Sequence, residues 1–381
     1  MPFETHLNPL LDAAALTRFD ALRPEHVTPA VNHLLAAARA TLAATAATTA
    51  AATWDNVVTP LEDATDRLAR AWGAVSHLNA VLDSPALRAQ YNDNLPRVTA
   101  FWTELAQDAR LCARYRALSE GADFDRWSAV KKKVITNALR DFRLGGADLA
   151  PQERQRFSAL REQLARASAR FAENVLDSTQ HFELLVDDVR ALAGVPDDVL
   201  PMYRAAAQAE GKDGHRITLH APSYLPIMQY AHDRALRERV YRAYVTRASE
   251  FGRPEWDNGA LMVELLRDRQ QLAALLGYRN YAQMSLVPKM AQEPGQVLEF
   301  LRELACRAKP HAEREMAELR DFAARELDLS DLQAWDVAYA SERLREQRFD
   351  YSEQEARQYF SEDAALPPAP NSRSAVPAGV H

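Results

Sequence analysis

The sequence predicts a mainly α-helical fold, a large multi-helix body carrying one small two-stranded β-element, and three observations predict it. Alanine is plentiful while glycine supplies only 12 of 381 residues; alanine loses the least on entering a helix and glycine the most. Apolar residues recur at three- and four-residue steps through most of the chain, the mark of helices with one buried face. Alternation with a period of two is confined to two short stretches. Hydrophobic residues at 47% and charged residues at 26% are ordinary for a soluble globular protein, and the length is enough to bury a sizeable core.

Taken in order, the first helix is expected near Pro24-Glu25-His26, where proline suits the first turn and the acid faces the positive end of the helix dipole. The alanine-threonine tract from Leu34 to Thr53 continues it as plain helix and then loop. Ser84-Pro85 is a second start signal, a capping serine before a first-turn proline, and Tyr91, Leu95, Val98, Trp102 and Leu105 form the stripe that follows. Gly145-Gly146 reads as a helix stop after Leu144.

After Pro151 comes the most regular stretch, with Phe157, Leu160, Leu164, Ala167, Phe171 and Val175 on one face; a long antiparallel partner is expected for it. Phe182, Leu184 and Val186 then alternate with Glu183, Leu185 and Asp187. Ile217 and Leu219 follow the turn signal Asp213-Gly214. These are the two predicted strands, and so short a ribbon needs helices to lie against. Helical spacing returns after Asp233 through Leu236, Val240, Tyr241 and Tyr244. It continues through Leu261, Leu265, Leu272 and Leu275-Leu276 to a break at Gly277. A further helix carries Val297, Leu301, Leu304 and Ala308, is expected to kink at Pro310, and resumes with Met316, Leu319 and Phe322. Beyond Phe360 four prolines fall among serine and alanine, and residues 363–381 are expected to form a disordered tail. No internal repeat of fixed period is evident.

Charge and composition exclude several function classes. A net charge of −7, from 53 acidic and 46 basic side chains with no separate basic domain, argues against a nucleic-acid partner. The two cysteines, Cys112 and Cys306, lie in helical segments without a CxxC partner, the pattern of a reduced, cytoplasmic protein. Met1-Pro2-Phe3-Glu4-Thr5-His6 has neither a basic flank nor an apolar core of a signal peptide, and no stretch of about eighteen apolar residues could span a membrane.

The candidate chemistry is sparse. In H-E-x-x-H two imidazoles share one helix face as metal ligands and the glutamate takes a proton from metal-bound water, but none of the ten histidines begins that motif. His311 and Glu315 have metal-compatible spacing within a charge-rich segment that reads better as a solvated helix face. His215 and His220, five residues apart around the second strand, point to opposite sides of an extended chain and cannot share a metal from one strand. His77 sits mid-helix among apolar neighbours, as a hydrogen-bonded structural histidine does, and His181 and His232 have equally plain explanations. No G-x-S-x-G elbow and no phosphate-binding G-x-x-x-x-G-K-[ST] occurs. Lys131-Lys132-Lys133 could touch an anion, but three consecutive lysines splay around a helix and read as solvated surface.

Several ungapped stretches go further. They are Ser76-His77-Leu78-Asn79 with Ser84-Pro85-Ala86-Leu87-Arg88, Asn137-Ala138-Leu139-Arg140-Asp141-Phe142, Asn174-Val175-Leu176-Asp177, and Pro222-Ser223-Tyr224-Leu225-Pro226. Tyr241-Arg242-Ala243-Tyr244, Thr246-Arg247-Ala248-Ser249, Leu275-Leu276-Gly277-Tyr278, Asn280-Tyr281-Ala282, Lys289-Met290-Ala291 and Trp335-Asp336-Val337-Ala338-Tyr339 follow. Each is weak alone; in their order, over about residues 20 to 362, the chain resembles the N-terminal half of the thimet oligopeptidase family of zinc metallopeptidases.

That resemblance implies a two-lobed helical fold around a deep channel, incomplete here, with a small β-element near the active site. It implies hydrolysis of short peptides by a zinc-activated water, with two ligands and the base from H-E-x-x-H, a third ligand from a downstream glutamate, and tyrosine and histidine donors for the oxyanion. In the family those groups lie C-terminal to the matched region. Zinc is therefore expected in the complete enzyme and not in this chain, which is expected to be inactive alone. No catalytic, metal or substrate-binding residue is assigned; Tyr224 and Tyr339 either face the channel of a complete enzyme or are packed aromatics. The expected organisation is an extension over 1–23, an N-terminal helical domain over 24–150, the start of a peptidase domain over 151–362, and the tail. After Gln358-Tyr359-Phe360-Ser361-Glu362 the match fades, as a shifted reading frame, a fragment or a genuine short form would make it do. Expected partners are short peptides for the complete enzyme, a missing C-terminal half, and other copies of the chain through exposed apolar stripes. The alternative is a non-catalytic helical scaffold that binds peptides or a partner.

Overall fold

The computed structural model describes residues 8–12, 16–82, 84–350, 356 and 359; the expected tail over 363–381 and part of the expected extension over 1–23 lie outside the described residues. The described residues form 13 α-helices and two short strands. In chain order these are α1 (Val27–Ala47), α2 (Thr59–Val81), α3 (Pro85–Gln107), α4 (Ala109–Glu120), α5 (Ala129–Leu144), α6 (Pro151–Gln180), β1 (Leu184–Val186) and α7 (Leu200–Gln208). They continue with β2 (His215–Ile217), α8 (Ala221–Tyr230), α9 (Arg234–Val245), α10 (Gly259–Leu275), α11 (Tyr281–Leu286), α12 (Pro294–Glu326) and α13 (Val337–Phe349). The mainly α-helical class with a two-stranded element is thus the observed one. The chain divides into two compact units, one made of residues up to Leu176 with Asn258–Leu301, the other of Asp177–Asp257 with the residues from Arg302 on.

In the first unit the start signals act as read. Pro24–His26 makes one 3-10 turn that leads into α1. The Ser84 hydroxyl accepts from the Leu87 N–H with Pro85 in the first helical position, which satisfies one of the donors that every helix start leaves open. The buried residues of α3 are Leu87, Asn94, Val98, Phe101 and Thr103, so the inward face is rotated from the expected stripe; Tyr91 and Trp102 pack at its edge. Asn94 is tolerated at full burial because its Nδ2 donates to Thr28 Oγ1 at 2.7 Å and to the Gln90 carbonyl at 2.8 Å, while its Oδ1 accepts from Arg97. Val31, Leu35, Leu68, Val75, Val98 and Phe101 form the core of α1, α2 and α3. Val57, Val58, Leu111, Tyr115, Ile135 and Phe142 form a second core, in which residues 54–58 make a single π-helical turn that apolar periodicity did not foretell.

The partner expected for α6 is α10. Arg156 donates to Gln271 at 2.8 Å and Asn174 to Asn258 at 2.9 Å, so the two helices run antiparallel, with Phe157, Leu160 and Leu272 buried between them. α5 stops where expected, at Leu144, before Gly146 at φ +85°, and α10 ends before Gly277 at φ +79°. α12 runs through Pro310 as one helix of 33 residues, and it departs from expectation in that its first half is not a buried stripe. Leu298, Phe300, Leu301 and Leu304 are about half exposed or more, and burial begins only at Leu319, Phe322 and Ala323.

In the second unit β1 and β2 pair antiparallel, Leu184 opposite Ile217 and Val186 opposite His215, with Leu185 turned outward. The ribbon is shifted slightly from the predicted segments, since Phe182 precedes it and Leu219 follows it while remaining buried. It lies on helices as so small a sheet must: Leu192, Tyr203, Ile217, Ile227 and Val240 share one core. Gly194, at φ +88°, lets the preceding loop close on the end of α8; a Cβ there would meet the Tyr230 carbonyl at 2.3 Å and the His232 ring at 2.4 Å.

One ion cluster ties α9 to the turn before α13. Asp233 caps α9 by accepting from the Ala235 and Leu236 N–H groups, which sets Arg234 and Arg237 facing Asp336. Arg237, 1% exposed, donates to Asp336 at 2.8 Å and to the Ala231 carbonyl at 2.7 Å; Arg234 adds bonds of 2.7 and 3.0 Å to the same carboxylate. Burial works to raise the Asp336 carboxyl, but the hydrogen bonds from Arg234 and Arg237 outweigh it and hold it below the usual range.

Three outcomes are expected. Asp336→Ala strands a buried guanidinium and should cost about 3–5 kcal/mol, measured by urea unfolding. Because the folded carboxyl is depressed, its contribution is complete above the unfolded value near ~3.9 and lost as pH falls through the lower folded value, so Asp336→Asn should flatten the acid limb of a stability-pH curve. Gly194→Ala should lower stability by about 2 kcal/mol or more, since it adds backbone strain to a clash.

Candidate functional site

The segments that carry the resemblance in the second unit converge on an aromatic and arginine cluster, the place most like a site in that unit. α8 begins with Ala221-Pro222 after His220, and the Ser223 hydroxyl accepts from the Thr218 N–H at 2.9 Å, joining the end of the ribbon to the helix. Tyr203 donates to the Ser223 carbonyl at 2.7 Å from a fully buried position. The next residue, Tyr224, stacks on Tyr244 with ring centroids 4.1 Å apart, and burial first, then Tyr244 and Tyr241, pushes its hydroxyl up to about 12. Arg247 lies 3.8 Å from the Tyr244 ring centre and donates to the Tyr244 carbonyl and Thr179 Oγ1.

Tyr339 sits in the same unit, with the Arg237 guanidinium 4.2 Å and the Arg343 guanidinium 5.6 Å from its ring centre and His232 at its edge. Trp335 is flanked by Arg242 at 4.9 Å and Tyr241 at 6.3 Å, and its indole N–H is buried without a protein partner. Both tyrosines singled out in the sequence are therefore in ring contacts. Arg234 and Arg237 are the residues that apolar spacing missed. Their signal was available as two arginines three apart directly after a capping aspartate. Both bond Asp336, and two guanidiniums on one carboxylate leave one net positive charge, with Arg234 the more exposed of the two.

The histidines lie apart in role and surroundings. His215 is buried in β2 with neither ring nitrogen bonded to protein, whereas His220 is exposed before α8. His181 packs on Trp256 at 4.7 Å and its Nδ1 lies 3.0 Å from the Asp177 carbonyl. His77 meets Phe19 edge-on at 5.5 Å. His311 is exposed on α12 and its Nδ1 is 2.8 Å from Arg314, which leaves it a poor partner for Glu315 in holding a cation. Among the described residues no three His, Cys, Asp or Glu side chains come together as possible metal ligands. Lys131 and Lys132 lie over the rings of Trp54 and Phe124, at 4.8 and 5.8 Å. No helix among the described residues is long and apolar enough to cross a membrane.

Comparison with known proteins fits this arrangement. Residues 31–154 match the family model described as Neurolysin/Thimet oligopeptidase, N-terminal domain, and residues 227–367 match Peptidase family M3. The chain is 42% identical over 361 residues to oligopeptidase A of Salmonella typhimurium, across 94% of this chain and 53% of the relative. It is 41% identical over 361 residues to oligopeptidase A of Haemophilus influenzae, with the same shares. With the probable cytosolic oligopeptidase A of Arabidopsis thaliana it shares 36% over 365 residues, 93% of this chain and 51% of that one. The chain spans about half the length of the curated relatives it matches. Helices matching the N-terminal domain, followed in order by a stretch matching the peptidase, and a likeness covering 94% of this chain give one answer: the matched segments are those of peptidase family M3, and the chain corresponds to the N-terminal half of the oligopeptidase A sequences.

Proposed function

We propose that this chain supplies the N-terminal part of a cytoplasmic zinc peptidase that hydrolyses short peptides, and that these 381 residues cleave nothing by themselves. The observation that carries the reading is the 42% identity to oligopeptidase A over 361 residues. The absence of H-E-x-x-H from the ten histidines supports the second half of it. On this reading residues 24–150 are the N-terminal helical domain, 151–362 open the peptidase domain, and the zinc ligands and general base come from sequence beyond the matched half. What these residues contribute is scaffold: the ribbon, the Arg237–Asp336 tie and the Tyr224–Tyr244 stack hold one wall of a channel for extended peptide. The description of the Arabidopsis relative as cytosolic favours the cytoplasm.

The half-exposed apolar side chains on α12, Leu298, Phe300, Leu301 and Leu304, with Met262, Val263 and Leu266 on α10, favour association of the chain with itself or with a complementary C-terminal half.

Purified chain with added zinc, assayed on a quenched fluorescent peptide, is expected to show no chelator-sensitive cleavage and less than stoichiometric metal; stoichiometric zinc with cleavage abolished by chelator would overturn the proposal. Light scattering is expected to show oligomers that bind a hydrophobic dye. A clean monomer without dye binding would count against association.

A further inference from the structure

α2, α3, α4 and α5 leave between them a cavity of about 460 Å³, within the roughly 300–1,000 Å³ of small-molecule sites. It lies inside the first unit, far in sequence from anything assigned to peptide hydrolysis. Its lining is mostly apolar and includes Trp102, Tyr115 and Phe142, with Glu62, Thr65, Asn137 and Asp141 as the polar members. Four residues of the stretch Asn137-Ala138-Leu139-Arg140-Asp141-Phe142, which carries part of the resemblance without a role in the proposed chemistry, line it: Asn137, Ala138, Asp141 and Phe142.

Two observations separate this cavity from a packing gap. Tyr115 is 5% exposed and its ring is packed on Phe142 at 5.5 Å, while its hydroxyl, which makes no hydrogen bond among the described residues, is open to the cavity it lines. A phenol held by its ring with an open hydroxyl at the wall of a hollow is placed to accept from what enters. The second observation is charge. Two carboxylates line the cavity and no lysine, arginine or histidine does. Asp141 is already neutralised, because Arg140 grips both its oxygens at 2.8 and 3.1 Å and also bonds Asn137. Glu62 has no ion pair among the described residues, and burial first, then the Glu62 charge, pushes the Tyr115 hydroxyl up. An apolar, ring-lined hollow with one unanswered negative charge beside an open acceptor is complementary to a cation on a hydrophobic body.

We propose that this cavity binds a primary ammonium carried on an aromatic or branched-aliphatic group, the group lying among Trp102, Tyr115 and Phe142 and the ammonium donating to the Glu62 carboxylate and to Tyr115 Oη. The chemistry is shared by a free hydrophobic amine and by the N-terminal residue of a peptide. Neither requires the metal or the peptidase reaction, so the site stands or falls apart from the function proposed above.

Calorimetric titration of the full chain with 2-phenylethylamine, against the neutral 2-phenylethanol, tests it. The amine is expected to bind saturably and about fivefold more tightly than the alcohol, the scale of one partly exposed ion pair. Glu62→Gln, at an exposed rim position, should erase that preference while leaving the alcohol unchanged. Tyr115→Phe should weaken the amine about threefold to tenfold, the worth of one hydrogen bond. Ala138→Trp, which fills the cavity, should weaken both ligands. Phenylalanylglycinamide separates the sources: tighter binding than the free amine assigns the site to peptide N-termini, weaker binding to free amines. Absence of saturable binding by the amine, equal binding of amine and alcohol, or a preference that survives Glu62→Gln in a variant with unchanged circular dichroism would overturn the proposal.

Discussion

The second unit depends on a guanidinium that cannot be left alone. Arg237 is as buried as the aliphatic residues around it, and a charge in that position is tolerable only when it is paired and its terminal donors find acceptors. Asp336 and the Ala231 carbonyl occupy two of them, Tyr339 covers one face of the plane, and Arg234 shares the carboxylate from the side nearer solvent. Residues separated by about a hundred positions are thereby fixed to one another, and with them the end of α8, the start of α9 and the start of α13. The ribbon and the tyrosine stack pack on the helices that this pair joins.

The first unit fixes two of its helix contacts with neutral groups. Asn94 in the α1–α3 core and the Asn174–Asn258 pair between α6 and α10 are amides, and each finds its partners within the unit. An amide loses far less than an ion on leaving water, so such pairs can fix the register of two helices at small cost. At the α2–α5 cavity, by contrast, the exposed Glu62 carboxylate stands at the rim with no ion pair among the described residues.

Much of the fold was legible because it rests on local signals. Ser84-Pro85, Asp233, Gly146 and Gly277 each act through groups within a few residues, and the helices start and stop where those signals fall. The β-ribbon was legible through its period, although its exact limits depend on which residues of the two segments meet, which is a long-range fact. Apolar spacing misled along the first half of α12, because Leu301 and Leu304 have the spacing of a buried face while what covers such a face is not a property of the helix itself. Spacing of apolar residues was silent on Arg237 for the opposite reason: the pattern that predicts burial counts carbon, and this side chain is buried by its partners. The cavity was invisible for the same cause, since it is made by four helices whose approach no single segment encodes.

The pairing of α6 with α10 has a consequence for how the chain comes into being. Arg156 meets Gln271 and Asn174 meets Asn258 only after more than eighty intervening residues have been made. During synthesis, at roughly 5–20 residues per second, the apolar face of α6 therefore stays uncovered for several seconds after it leaves the ribosome. In that interval the intervening ribbon and α7–α9 can begin to form, so the inserted segment gains structure before the segment that surrounds it is closed. A factor that shields Phe157 and Leu160 during this window would raise the yield of folded chain without touching the finished protein.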